Sequence, residues 1–305
     1  MSRRPMALLI NDPGPARPVF AELDRRGTAV EQIDPKSHAY DPAESRSPYS
    51  LVFNLLSPAA FARDGARGML FTLGYLANLE RLGVPVVNGL SAFTYETSKA
   101  RQLTLLQSLG LPYPRAVVIN HPDQAPMVAE ALRFPVLIKP NVGRSAAARF
   151  DSADDLARAA AAGGLDFGPD ETALVQEYVP ARGDTSIRLE MLGGRFLYAA
   201  RIRGSTSEVF TPPDHLVATA ELIVRTAGID VGGVEYRIDD RDGGLVYVDV
   251  RAGTVPATSP DGLGFDPVAK VVDYLERVAR AGRVFRPDDA RPLAFPDAEY
   301  WGPEL

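Results

Sequence analysis

Short apolar runs separated by helical stretches dominate the first third of the chain. Ala7-Leu8-Leu9-Ile10, stopped by Asn11-Asp12-Pro13, and the run from Ser50 to Leu56 predict strands, because four to eight apolar residues bounded by turn formers fit a buried strand. Residues 16–26 and 69–82 predict helices. Gly83 stops the second, and 84–89 predicts a further short strand. This alternation predicts a small parallel α/β domain. Residues 91–97 then read as a bridge to a helix over 98–109, which Gly110 and Pro112 stop.

From Arg115 the rhythm changes to strand pairs with intervening helices. Residues 116–119, 135–139, 172–179 and 186–192 predict strands, and 153–162 predicts a helix whose acidic first turn, Asp154-Asp155, suits the helix dipole. Gly193-Gly194 turns the last of these strands back into 195–203 as a hairpin. A helix over 215–227 ends at Gly228, residues 234–239 and 245–250 predict a second hairpin, and Asp266-Pro267 opens a last helix that Gly282 closes. The tail from Arg283 to Leu305 carries four prolines and no periodic pattern. The pattern gives an α/β fold whose first unit covers 1–90.

Composition narrows the function. With 46% hydrophobic and 24% charged residues, 305 residues suffice for two or three compact units. A net charge of −6 offers no broad basic surface to nucleic acid or anionic lipid. The absence of cysteine excludes disulfides, thiolate metal sites and a cysteine nucleophile. No apolar run reaches membrane-spanning length and the first is too short for a signal peptide, so the cytoplasm is the expected compartment.

Only four of the 33 basic residues are lysines. Lys36 and Lys270 fit a solvated surface, but Lys139 closes the apolar run Phe134-Pro135-Val136-Leu137-Ile138, where an unpaired charge is rare. A Lys kept in an Arg-rich chain points to a need for a compact, flexible ammonium rather than a planar fork. The loop that follows, Pro140 to Ala148, is rich in small residues, which let backbone N–H groups approach an anion. A nucleotide phosphate site or an ordinary β-turn fits that loop. It is not a Walker loop, and no dinucleotide fingerprint occurs. Gly143-Arg144-Ser145-Ala146-Ala147 approximates a nucleophile elbow, but the next helix starts only at Ala153 and His215 is the one downstream His available.

The second hairpin carries acids. If Arg241-Asp242-Gly243 is a three-residue loop, Asp240 faces Gly244 and Glu235 falls opposite Asp249. Facing carboxylates repel unless a cation lies between them, and oxygen ligands near phosphate favour magnesium. Arg251 points to the same face. A solvent-exposed face on which acids and Arg neutralise one another is the alternative.

Taken in order, a Lys following V-V-N-G, then G-L-P-Y-P, F-P-V-L-I-K-P with its small-residue loop, L-V-Q-E-Y-V, a G-V-E strand and an acidic strand resemble the ATP-grasp superfamily. The branch most similar is the carboxylate–amine ligases of the ribosomal-protein glutamyl ligase and glutathione synthetase type. The resemblance runs from about Leu51 to about Pro256 and rests on motif order; it implies an ATP-grasp fold with an N-terminal parallel-sheet pre-ATP-grasp domain over 1–90 and two α+β subdomains over 91–175 and 176–305. It implies ATP and Mg²⁺ as cofactors, with Lys99 and Lys139 on the phosphates together with the loop at Ser145. It further implies adenine contacts at Gln176, Glu177, Tyr178 and Val179, and ribose contact at Asp184 or the position of Ser186. Arg188 and Arg201, with Arg203 as a further candidate, would hold an acyl phosphate, and Glu235 and Asp249 the metal. Small carboxylate and amine substrates, an amino acid or short peptide, follow from the same resemblance, as does a homo-oligomer.

Two departures qualify it. Three alanines follow Ser145 where the family loop is glycine-rich, which predicts a stiffer cover. Arg251 stands where the family carries a metal-binding Asn; it removes a ligand, leaving one ion and a phosphate-neutralising Arg, or marks lost catalysis. A nucleotide-binding relative without the reaction and a phosphotransferase are the two alternatives to a ligase.

Overall fold

The computed structural model describes residues 4–64, 66–143, 147–253 and 262–284. Four parallel strands, β1 (Met6–Leu9), β2 (Val30–Ile33), β3 (Leu51–Asn54) and β4 (Val86–Val87), form a first sheet in the order β2-β1-β3-β4. Successive side chains of β1 take opposite faces, as strand geometry requires. Met6 and Leu8 pack with helix α1 (Pro13–Arg25), whereas Ala7 and Leu9 pack beneath a helix over Arg67–Arg81. The α1 start is set by Asp12, whose carboxylate accepts the Gly14 N–H at 3.0 Å.

A second sheet, in the order β5-β8-β6-β7, is antiparallel: β5 (Ala116–Ile119), β6 (Val136–Pro140), β7 (Ala148–Phe150) and β8 (Ala173–Glu177). Its strands alternate, so Val136, Ile138 and Val175 join one core. Leu137, Lys139, Leu174 and Gln176 face the other way. Lys139 therefore lies on the cleft side of a strand whose other side joins that core.

The third sheet runs β11-β10-β9-β12-β13 and is antiparallel throughout: β9 (Thr185–Leu192), β10 (Arg195–Arg203), β11 (Thr206–Phe210), β12 (Val231–Ile238) and β13 (Leu245–Ala252). Leu189, Val234, Tyr236 and Val250 bury one face against a helix over Asp214–Ala227. The opposite face is charged. Glu235 pairs with Asp249 as the hairpin pattern predicts, but by a different route. Asp239, not Asp240, faces Gly244, so the loop is one residue longer, and a bulge at Val248 restores the register.

At the close contact between β12 and β13, a Cβ on Gly232 would lie 2.0 Å from the Arg251 carbonyl oxygen. Backbone cannot yield there as a side chain tip can. Gly232→Ala is expected to cost about 3 kcal/mol or more, read as a lowered melting temperature or loss of soluble protein.

The last helix, Pro267–Ala281, returns to the first sheet. Its Val268, Val271, Val272 and Leu275 share a core with Val19, Leu23, Leu51 and Phe53. Arg26 ties it down through Asp273 at 2.7 Å and Glu276 at 3.4 Å. Its apolar stripe completes the cover of the first sheet. Among the described residues no helix is long and apolar enough to cross a membrane.

Candidate functional site

The open faces of the second and third sheets meet in a cleft of about 260 Å³. The second sheet contributes Leu137, Lys139, Leu174 and Gln176, and the third contributes Glu235, Arg237, Asp249 and Arg251. Glu177, Tyr178 and Val179 form the connection at one side. Glu96, Lys99 and Gln102, from two consecutive helices (Leu90–Glu96 and Lys99–Ser108), close the other.

Those two helices are locked to the free edge of β13. The Val250 N–H donates to Gln102 Oε1 at 3.5 Å, and the Ala252 N–H donates to Glu96 Oε2 at 2.5 Å. Side chains thus satisfy edge groups that would otherwise be buried without partners. Ser98 caps the second helix by accepting the Arg101 N–H, and its own hydroxyl donates to Asn141 Oδ1 at 3.0 Å. Asn141 Oδ1 also accepts the Ala100 N–H at 2.9 Å, while Asn141 Nδ2 donates to Asp170 at 2.7 Å. The residue two places after Lys139 therefore fixes the helix that begins at Lys99. Lys99 Nζ donates to the Gly143 carbonyl at 2.6 Å, at the start of the small-residue loop. Asn141→Ala is expected to cost about 1–2 kcal/mol and to raise the KM for a nucleotide held at Lys99 several-fold with a smaller change in kcat, as steady-state kinetics and melting curves would show.

Lys139 carries the charge that this arrangement supports least. Burial, opposed by Asp249 but reinforced by Lys99 and Arg237, pulls its ammonium down to about 8. Such a group favours an incoming anion. Deep in the cleft, Gln176 is 3% exposed, and its Oε1 has no hydrogen-bond partner among the described residues. An acceptor left over in that position fits the exocyclic amine of a nucleobase. Glu177 is otherwise engaged, since its carboxylate accepts the Arg133 N–H at 3.0 Å, and the ring of Tyr178 lies 4.6 Å beneath the Arg149 guanidinium.

On the third sheet the acids are already matched by arginines. Arg188, directly opposite Glu235 on β9, reaches it at 3.3 Å, and Arg237 reaches it at 3.6 Å. Burial pushes the Glu235 carboxyl up, but Arg188, Arg251 and Arg237 outweigh it and hold it below the usual carboxylate range. Arg251 Nε lies 3.3 Å from Asp249 and Arg251 Nη2 lies 3.7 Å from Glu190. Burial opposes the Arg251 charge, and Glu190, Asp249, Glu235 and Glu96 more than compensate. Glu190 is 6% exposed; burial pushes its carboxyl up, against the pull of Arg251 and Arg188.

Of the residues expected from the sequence, Lys99, Lys139, Gln176, Glu177, Tyr178, Val179, Glu235, Asp249 and Arg251 line the cleft. Arg188 lies one ion pair away. Arg201 is not brought there: it pairs with Ile187 while Arg188 pairs with Ala200, so strand alternation puts it on the opposite face, against Glu208 and the ring of Phe210. Arg203 donates to the Gly183 carbonyl. Asp184 sits on an exposed 3-10 turn and does not line the cleft, and Ser186 accepts from Arg237 at 2.9 Å. Ser145 falls within 144–146, outside the described residues.

Several participants were not anticipated. Glu190 and Arg237 stand two residues from Arg188 and Glu235, so strand period alone could have found them. Gln102 lies one helical turn after Lys99. Glu96 had no signal, because its helix reads as a bridge.

The residues present fit a divalent ion in one respect: Glu235 and Asp249 face each other beside the lysines, and Mg²⁺ needs few protein oxygens when phosphate and water supply the rest. Among the described residues no cluster of three or more His, Cys, Asp or Glu is arranged to hold a metal by protein ligands alone.

No family model matches the chain. A probable alpha-L-glutamate ligase of Teredinibacter turnerae is 26% identical over 304 residues, covering 91% of this chain and 98% of the relative. Another, of Thioalkalivibrio sulfidiphilus, is 26% identical over 245 residues, covering 74% and 78%. Among solved structures, a RimK domain protein ATP-grasp from Sphaerobacter thermophilus aligns with a TM-score of 0.69 at 20% identity, over 89% of this chain and 99% of that one. The ATP-grasp ligase PsnB, complexed with precursor peptide PsnA2 and AMPPNP, aligns with a TM-score of 0.64 at 18% identity, over 92% and 99%. The chain has the ATP-grasp fold and is similar in sequence to proteins described as probable alpha-L-glutamate ligases.

Proposed function

We propose that the cleft binds ATP and that the protein joins a small carboxylate to an amine through an acyl phosphate. The observation that carries this reading is the convergence of Lys99, Lys139 and the facing pair Glu235 and Asp249 in one cleft, with an unspent acceptor on Gln176 at its depth. A carboxylate oxygen of the substrate attacks the γ-phosphorus of ATP, the bond to the bridging oxygen breaks, and ADP leaves. The amine then attacks the acyl carbon, phosphate departs, and the amine proton is lost to solvent.

Catalysis here is positioning and charge neutralisation. Lys99 and Lys139 hold the transferring phosphoryl oxygens, and Arg188, fixed by Glu235, is placed to steady the oxyanion of the second step. Glu235 and Asp249 would hold Mg²⁺, which when bound neutralises phosphate charge. The adenine is assigned to Gln176 through Val179. An amino acid or short peptide supplies the carboxylate and the amine, in keeping with the glutamate ligases to which the sequence is similar.

A screen of amino-acid pairs for ATP-dependent phosphate release, with hydroxylamine present in parallel, tests the reading. Hydroxamate together with ADP is the expected result. ADP with a stable phosphorylated product and no hydroxamate would identify a phosphotransferase instead, and nucleotide binding without ADP release from any mixture would leave a binding protein.

A further inference from the structure

We infer that Arg251 is a resident cation of the triphosphate site, so that the protein binds ATP with a single divalent ion. The inference rests on the nucleotide reading above and concerns how the charge of that nucleotide is met.

Arg251 is 4% exposed and lines the cleft, yet its Nε and Nη2 have no hydrogen-bond partner among the described residues. Asp249 and Glu190 stand at 3.3 and 3.7 Å, near enough for charge attraction but without hydrogen-bond geometry. A buried guanidinium with unspent N–H groups is costly unless something accepts from them. The acceptor has to be an anion or a carbonyl, because guanidinium carries no lone pair and binds no metal. Phosphate oxygens meet that requirement, and planar N–H donors suit them in pairs.

The position has a second consequence. Arg251 follows Asp249 by two residues on β13 and shares its face, directly beside the carboxylate pair. One ion between Glu235 and Asp249 is compatible with that neighbour, since both carboxylates face it and phosphate and water complete the shell. A further dication on the Arg251 side of Asp249 would lie against a fixed positive charge in a low-dielectric pocket.

Counting Mn²⁺ by electron paramagnetic resonance, in the presence of a saturating non-hydrolysable ATP analogue, tests the inference on the full chain. One Mn²⁺ per bound nucleotide is expected for the parent protein. Arg251→Asn, which removes the charge and supplies an oxygen, is expected to bind two, with nucleotide affinity reduced at least tenfold at limiting Mn²⁺ and recovered at high Mn²⁺. Arg251→Lys keeps a cation and is expected to stay at one. Two ions in the parent protein, or in Arg251→Lys, would overturn the inference while leaving the ligase reading intact. Arg251→Asn with one ion and unaltered affinity would do the same. Failure of the parent protein to bind the nucleotide at all would overturn both. Should Arg251→Asn not fold, the parent and Arg251→Lys counts decide.

Discussion

Lys139→Met is expected to lower ATP turnover about a thousandfold, the upper end for losing one electrostatic donor in a closed site, while leaving the nucleotide-free protein at least as stable as the parent. The two halves have one cause. Burial and the neighbouring Lys99 and Arg237 hold the Lys139 ammonium at about 8, only partly offset by Asp249 and Glu235. Below pH 8 the folded protein keeps a charge that the unfolded chain carries more easily, at a cost of up to about 3 kcal/mol. Between pH 8 and the ordinary lysine value near 10.5 the folded protein binds fewer protons than the unfolded chain, so stability rises with pH. The stability gap between Lys139→Met and the parent should therefore be widest below pH 8 and close toward pH 10.5 in melting curves. Nucleotide affinity should move the other way. It should weaken as pH rises above 8 in the parent, because the ammonium must be reprotonated, and this slope should be missing from Lys139→Met. A flat affinity from pH 7 to 9.5 in calorimetry would contradict this account of the site.

Arg251→Met is expected to destabilise the protein by about 3–5 kcal/mol at neutral pH, because it strips the partner from a buried carboxylate rather than merely deleting a contact. Glu190 is the residue left exposed to that cost: it is nearly inaccessible, and Arg251 is the first of the groups that lower its carboxyl. Since the Glu190 carboxyl is already raised by burial, its ionisation opposes folding as pH rises from about 4.5. The variant should thus recover stability on acidification, which the parent should do less. Glu190→Gln combined with Arg251→Met should restore most of the loss, since a neutral side chain removes the stranded charge. A double variant as unstable as the single one would locate the effect in packing instead.

How much could be read from the chain depended on what held each element. Strands inside sheets, such as Ala173–Glu177 and Arg195–Arg203, show in the sequence because both neighbours demand a regular face. Edge strands divide: Ala116–Ile119 and Leu245–Ala252 show, and the more exposed ones do not. Val30–Ile33, Ala148–Phe150 and Thr206–Phe210 were not anticipated, and most of their side chains are at least partly exposed, so each is held by one ladder and carries little apolar pattern. Lys139 and the facing acids of the cleft were legible because a charge at the end of an apolar run, or two acids in register, conflicts with local expectation. Arg201 shows the limit of that method. Motif order places it near Arg188, but a one-residue offset across the β9–β10 ladder turns it to the other side of the sheet. The network around Arg251 was invisible for a different reason, since Glu96 comes from a helix 155 residues earlier.

The return of the last helix to the first sheet governs how the chain can be made. Val19, Leu23, Leu51 and Phe53 emerge from the ribosome early, whereas Val268, Val271, Val272 and Leu275, which share their core, come more than 200 residues later. At about 5–20 residues per second, the first unit waits on the order of ten seconds or longer with part of its apolar face uncovered. Vectorial synthesis cannot complete the cover of the first sheet until residues 267–281 exist, so a chain ended before residue 267 would expose that face to chaperones and proteases however well the cleft between the other two sheets had formed.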